Sequence, residues 1–112
     1  MGEWGEELAK QYLLDKGWNY LESNWRCPLG EIDLIMQDGP DRVFVEVRLR
    51  KMGKYGSGAD TVTWQKQCKL KRAVGVYQSK NGYWGSIRID VISITLDDHK
   101  PQIEHIEWAV EE

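Results

Sequence analysis

The order of elements along the chain, α-β-β-β-α-β-β, predicts a compact domain of the α/β or α+β class. Three observations carry this. Apolar residues recur at helical spacing over 3–16 and again over 61–80. Two β-rich runs, EIDLIMQ and RVFVEVRLR, flank the turn DGPD and read as a hairpin. A long β-branched run, WGSIRIDVISITL, and a shorter one, IEHIEWAV, follow the second helix.

In the first helix Trp4, Leu8, Ala9, Tyr12 and Leu13 form one apolar face, and Gly17 is the expected stop. Gly5 falls near the centre of that face, where a missing side chain lets the helix backbone approach its neighbour. Glu7 points away from the face, whereas Glu6 lies at its edge and can lean inward. Residues 18–25 (WNYLESNW) read as the first strand. Residues 51–60 (KMGKYGSGAD) are a basic, Gly-rich loop, and Gly53, Gly56 and Gly58 form no nucleotide-binding pattern. In the second helix Leu70, Ala73, Val74 and Tyr77 form the apolar stripe, with Gln65, Lys69 and Arg72 on another side.

The hairpin places its side chains in register. With the turn centred between Gly39 and Pro40, Asp33 stands opposite Glu46, Glu31 opposite Arg48 and Ile35 opposite Phe44. Side chains alternate between faces. One face then carries Ile32, Leu34, Met36, Val43, Val45 and Val47, and must be core. The other carries Glu31, Asp33, Ile35, Phe44, Glu46 and Arg48. Opposed carboxylates at a cross-strand pair are unfavourable by themselves. Solvent, a nearby Arg, protonation or a bound cation could offset them. Convergent carboxylates are the oxygen site that Mg²⁺ uses, and Glu6 would add a third. An exposed sheet face, with Arg48 pairing Glu31 and Glu46, accounts for the same residues without a metal.

Bulk composition narrows the function classes. The 112 residues fit one domain spanning 1–112 and can bury a substantial core. No apolar run approaches the roughly 20 residues of a membrane span. The acidic, amphipathic N-terminus MGEWGEELAK is unlike a secretory signal. Cys27 and Cys68 match no metal-ligand spacing, so a reducing, cytoplasmic setting is the default. The six Trp read as core and stacking mass. A net charge of -3 argues against a general nucleic-acid binder, yet residues 42–72 hold nine basic groups against two acidic ones. Such a basic zone is the footprint of phosphate contact, or simply a solvated strand end and helix face.

GEIDLI, a short turn and FVEVR together resemble the core of the YraN-like family of small endonuclease-like proteins. That family is a branch of the PD-(D/E)XK restriction-endonuclease-like superfamily, similar to archaeal Holliday-junction resolvases. Gly5-Glu6 with Leu8-Ala9, Asn24-Trp25-Arg26, Lys66 and Ala73, and Arg88-Ile89-Asp90-Val91 extend the likeness over residues 2 to about 109. The resemblance implies an α/β fold with a central mixed sheet flanked by helices. It implies Glu6 as the helix acid, Asp33 as central metal ligand and Glu46 as second ligand. The cofactor would be Mg²⁺ or Mn²⁺, and the reaction hydrolysis of a DNA phosphodiester.

One position departs from the pattern. The family has Glu-Val-Lys, and this chain has Glu46-Val47-Arg48. Arg supplies charge and bidentate phosphate contacts but is no base at neutral pH. Arg48 could serve as an electrostatic clamp, Lys51 or Lys66 could fill in, or catalysis could be lost while binding persists. The expected function is a metal-dependent DNA endonuclease selective for branched or junction DNA. Lys51, Lys54, Lys66 and Lys69 would grip the backbone, and a homodimer would match the two symmetric cleavage positions of a junction. The alternatives are an inactive nucleic-acid-binding module and a small protein-interaction domain. His99 and His105 show no ligand spacing. Asp90, beside Arg88, reads as half of a structural ion pair.

Overall fold

A computed structural model describes residues 2–51, 63–96 and 100–107. The first helix, α1 (Gly2–Asp15), stops where Gly17 takes φ 93. The Trp18 N–H then donates to the Leu13 carbonyl at 3.2 Å, and the Gly17 N–H to that of Leu14 at 2.9 Å. These are the two bonds of a Schellman cap. Leu13 and Trp18 enter the same core cluster, so the cap also sets where the next strand begins.

The remaining elements are β1 (Asn19–Cys27), β2 (Gly30–Asp38), β3 (Asp41–Lys51), α2 (Trp64–Asn81), β4 (Ile87–Leu96) and β5 (Gln102–Ile106). They form a five-stranded mixed sheet in the order β1-β2-β3-β4-β5. Neighbours are antiparallel except β3 and β4, which run parallel. A parallel pair needs a crossover, and α2 lies within it. This is the expected α/β order, element for element.

Each helix covers one face of the sheet. On the α1 side, Ala9 and Leu13 meet Leu34, Met36, Val43, Val45, Ile92 and Ile94. On the α2 side, Leu70, Ala73, Val74 and Tyr77 meet Ile32, Ile35, Phe44, Ile89 and Val91. β4 is covered on both faces, so residues 88–94 are all buried, Arg88, Asp90 and Ser93 among them. Gly5 makes the expected close approach: a Cβ there would lie 3.1 Å from Leu49 Cδ2.

Several boundaries differ from expectation. α2 starts at Trp64, not 61, because Thr63 caps it, its Oγ1 accepting from the Lys66 N–H at 3.2 Å. β1 extends to Cys27, and β4 begins only at Ile87. The Gly-rich segment 52–60, with Lys54, lies outside the described residues, as do residues 61, 62, 97–99 and 108–112 and the Lys51 side chain. The tryptophans are not uniformly core: Trp18 is 7% exposed, but Trp64 is 74%, Trp84 71% and Trp4 48% exposed. Cys27 and Cys68 are both free and half-buried. No described helix is long and apolar enough to cross a membrane.

Candidate functional site

The hairpin register agrees with expectation where the strands pair. Leu34 faces Val45, Ile35 faces Phe44 and Met36 faces Val43, down to Asp38 and Asp41. The pairing ends at Leu34–Val45, one step short of Asp33 and Glu46. Beyond that point the Val47 N–H, which a continuing ladder would direct at a β2 carbonyl, donates instead to Asp33 Oδ2 at 2.8 Å. The two carboxylates therefore stand in a cleft between parting strands rather than on a flat sheet face.

A paired irregularity produces this. On β1, Ser23 pairs with Leu34 and Trp25 with Ile32, while the residues between them, Asn24 and Asp33, are skipped. Asn24 has φ 54, in the left-handed region, and is the one non-Gly residue with positive φ among the described residues. Asn tolerates that conformation better than most residues. Side-chain phase reverses across the irregularity. Leu34 packs on the α1 side, whereas Ile32, Trp25 and Cys27 pack on the α2 side. The expected grouping of Ile32 with Leu34 and Met36 is corrected accordingly: strict alternation fails at Asp33. The sequence contained Asn24 as a signal, but nothing local said that its left-handed conformation would be used.

The cleft has a volume of about 260 Å³. Its walls include Glu6 from α1, Glu31 and Asp33 from β2, Glu46 and Arg48 from β3, and Lys66 from α2. Glu46 is 3% exposed. Its Oε2 lies 3.3 Å from Lys66 Nζ and 3.5 Å from Arg48 Nη1. The expected Arg48–Glu46 pair forms, whereas Glu31 pairs with Arg26 at 2.9 Å in place of the expected Arg48. Lys69 is exposed on α2, one turn beyond Lys66. Arg42, counted in the basic zone, is instead engaged at the turn end of β3. It donates to Gln37 and to the Tyr77 hydroxyl, both at 3.1 Å, and stacks over Tyr83.

Electrostatics set Asp33 apart. Its carboxyl is pushed up from 3.8 to about 7. Burial is the main cause, followed by the Glu46 charge; Glu6 and Glu31 add to it, and the Val47 N–H opposes it. Glu31 is paired to Arg26, which leaves Glu6, Asp33 and Glu46 facing Arg48 and Lys66 around one cleft. The described side chains thus leave a carboxylate site short of positive charge. A hard divalent cation with oxygen ligands fits that donor set.

Asp90 and His105 belong elsewhere. Arg88 Nη2 lies 3.0 Å from Asp90 Oδ2, and Arg88 Nη1 reaches Asp38 at 3.2 Å. His105 Nε2 lies 2.8 Å from Asp90, and Lys16 Nζ lies 2.8 Å from His105 Nδ1. An ammonium only donates, so Nδ1 accepts and Nε2 carries the proton toward Asp90. Asp90, His105 and Glu107 bring ligand-type atoms within 4.8 Å of one another. Arg88 already supplies the positive charge there, 3.6 Å from Glu107. The group ties β4 and β5 to the hairpin turn and to Trp18, over which Arg88 lies at 5.0 Å. The expected structural role of the Arg88–Asp90 pair agrees with this geometry.

The family model described as "Uncharacterised protein family UPF0102" matches residues 5–94. A UPF0102 protein of Syntrophomonas wolfei is 42% identical over 107 residues, covering 95% of this chain and 93% of its own. One from Herpetosiphon aurantiacus is 38% identical over 112 residues, covering 96% and 90%. One from Rhodococcus jostii is 40% identical over 111 residues, covering 97% and 94%.

Proposed function

The chain belongs to the uncharacterised family UPF0102, and we propose that it is a Mg²⁺- or Mn²⁺-dependent endonuclease hydrolysing DNA phosphodiesters, of the restriction-endonuclease-like kind. The observation that carries this reading is the placement of Lys66 Nζ 3.3 Å from the buried Glu46 carboxylate, in the cleft that also holds Asp33. The ammonium absent from position 48 arrives from α2.

In this reading Asp33 and Glu46 would hold one or two ions, with Glu6 at the cleft wall as a further acid. A bound ion supplies Lewis acidity at a phosphoryl oxygen and acidifies water. The remaining work falls to the chain. The Val47 N–H fixes one oxygen of Asp33. Lys66 contributes a compact positive charge beside the reacting phosphate, where charge develops in the transition state. Arg48, one-third exposed, offers a planar fork for a phosphate oxygen pair. Lys69 extends the positive track along α2, and Lys51 and Lys54, whose side chains lie outside the described residues, would add further backbone contacts. Such contacts position a backbone and read little sequence, so selectivity would rest on DNA shape. A four-way junction offers two symmetric cleavage positions, which a homodimer would match.

The test is cleavage of linear, single-stranded and four-way-junction DNA with Mg²⁺ and with Mn²⁺, wild type beside Glu46→Ala. Metal-dependent cutting by wild type alone supports the reading. Salt-sensitive binding with no cutting on any substrate would replace it with a non-catalytic DNA-binding module.

A further inference from the structure

Trp4 stands at the outer edge of the apolar face of α1, about 140° around the helix from Ala9 and about 180° from Leu13, and is 48% exposed. Its indole borders a groove of about 610 Å³ that also takes in Glu6, Glu7, Lys10, Ser23 and Asn24. Glu6 lines both this groove and the carboxylate cleft, so the two are contiguous. The groove joins an aromatic surface to an amide, a hydroxyl and carboxylates. That mixture suits a flat heterocycle with donors and acceptors on its edge. It does not suit a phosphate, because Glu6 and Glu7 repel one, while Lys10 is drawn over the Tyr20 ring at 4.0 Å.

We propose that the groove between Trp4 and Asn24 takes an unpaired nucleobase of the DNA strand whose phosphate enters the adjacent cleft. The inference rests on the nuclease reading and names its substrate class: DNA with an unpaired or extrudable base beside the scissile bond. A base inside a continuous duplex is stacked on both sides and cannot reach the indole. A base at a bulge or branch costs little to turn outward. Stacking on an exposed aromatic then holds it with little regard to sequence.

The experiment is binding in EDTA, so that no cleavage occurs, read by fluorescence anisotropy. Three fluorescein-labelled DNAs are compared: a duplex, the same duplex with one extra unpaired adenine, and that bulge with an abasic residue in place of the adenine. Wild type is expected to bind the adenine bulge at least about fivefold more tightly than the other two, the equivalent of about 1 kcal/mol of stacking. Trp4→Phe keeps the preference. Trp4→Leu, which keeps apolar bulk on α1, loses it while binding the plain duplex as wild type does; circular dichroism checks that both variants fold. Equal binding of adenine and abasic bulges by wild type overturns the proposal, as does a preference that survives in Trp4→Leu or a failure to bind any of the three. Cleavage assays separate the two readings. Cutting without base preference removes the base site alone, and base preference without cutting removes the nuclease alone.

Discussion

Lys66 and Arg48 converge on one oxygen, Glu46 Oε2, at 3.3 and 3.5 Å. Their side chains differ in what they can do. Lys66 is a point charge with mobile donors, and Arg48 is a rigid fork. Lys66→Met is expected to lower the metal-dependent cleavage rate by at least about 100-fold, the scale of losing one transition-state donor. Arg48→Lys, which keeps a cation at that position, should retain most of the rate. Initial rates on one DNA substrate check this; a fully active Lys66→Met would move the role to Arg48.

At the proposed metal site, Asp33 would couple divalent-ion binding to pH. Its carboxyl sits at about 7, and a cation must displace the proton. Divalent affinity should therefore rise with pH up to about 7 and level off above it. Calorimetry in two buffers of different ionisation enthalpy should show close to one proton released per binding event near pH 6 and almost none above pH 8. Asp33→Asn should release none.

The same shift governs stability without metal. The folded state holds the Asp33 proton more tightly than the unfolded chain does, since burial and Glu46 raise the value above 3.8. The stability this contributes is fully present below about pH 4 and is lost as pH rises through about 7. Asp33→Asn, which can still accept from Val47, should match wild type near pH 4 and become progressively the more stable of the two up to about pH 7. Denaturant midpoints across that range read it directly, and a constant difference would contradict the assignment.

Asn24 holds the irregularity that frees Asp33. Asn24→Gly keeps the left-handed conformation and should leave divalent affinity near that of wild type. Asn24→Val should destabilise by about 1–2 kcal/mol, because a β-branched residue resists φ 54. It should also weaken Mn²⁺ binding, measured by electron paramagnetic resonance, by more than its loss of folded protein explains.

Asp90 provides the contrast. It is fully buried between Arg88 and His105. Asp90→Ala leaves Arg88 short of its closest partner and should cost about 3–5 kcal/mol of stability. Cleavage per folded molecule should not change. Thermal melts and active-site-normalised rates separate these effects.

Much of this protein was legible in one dimension. The element order, the Gly17 stop, the hairpin register from Leu34–Val45 onward and the β-branched run of β4 all follow from local periodicity and turn chemistry. These are interactions between residues near in sequence or symmetric about a turn. Asp33 and Glu46 could be brought together on that basis, and Glu6 could be placed at a helix edge. What pattern could not supply was where pattern breaks. The reversal at Asn24 and Asp33 runs against strict alternation, and only the packing of Ile32, Trp25 and Cys27 on the α2 side reveals it. Lys66 meets Glu46 from the far side of the crossover, at a distance set by how α2 docks on the sheet. Trp4 stands at the edge of the apolar face of α1, and only the docking of α1 shows that it borders a groove with Ser23 and Asn24 of β1. Periodicity reports which face of an element is apolar; where two elements end relative to each other is decided by three-dimensional packing, and the cleft lies at those ends.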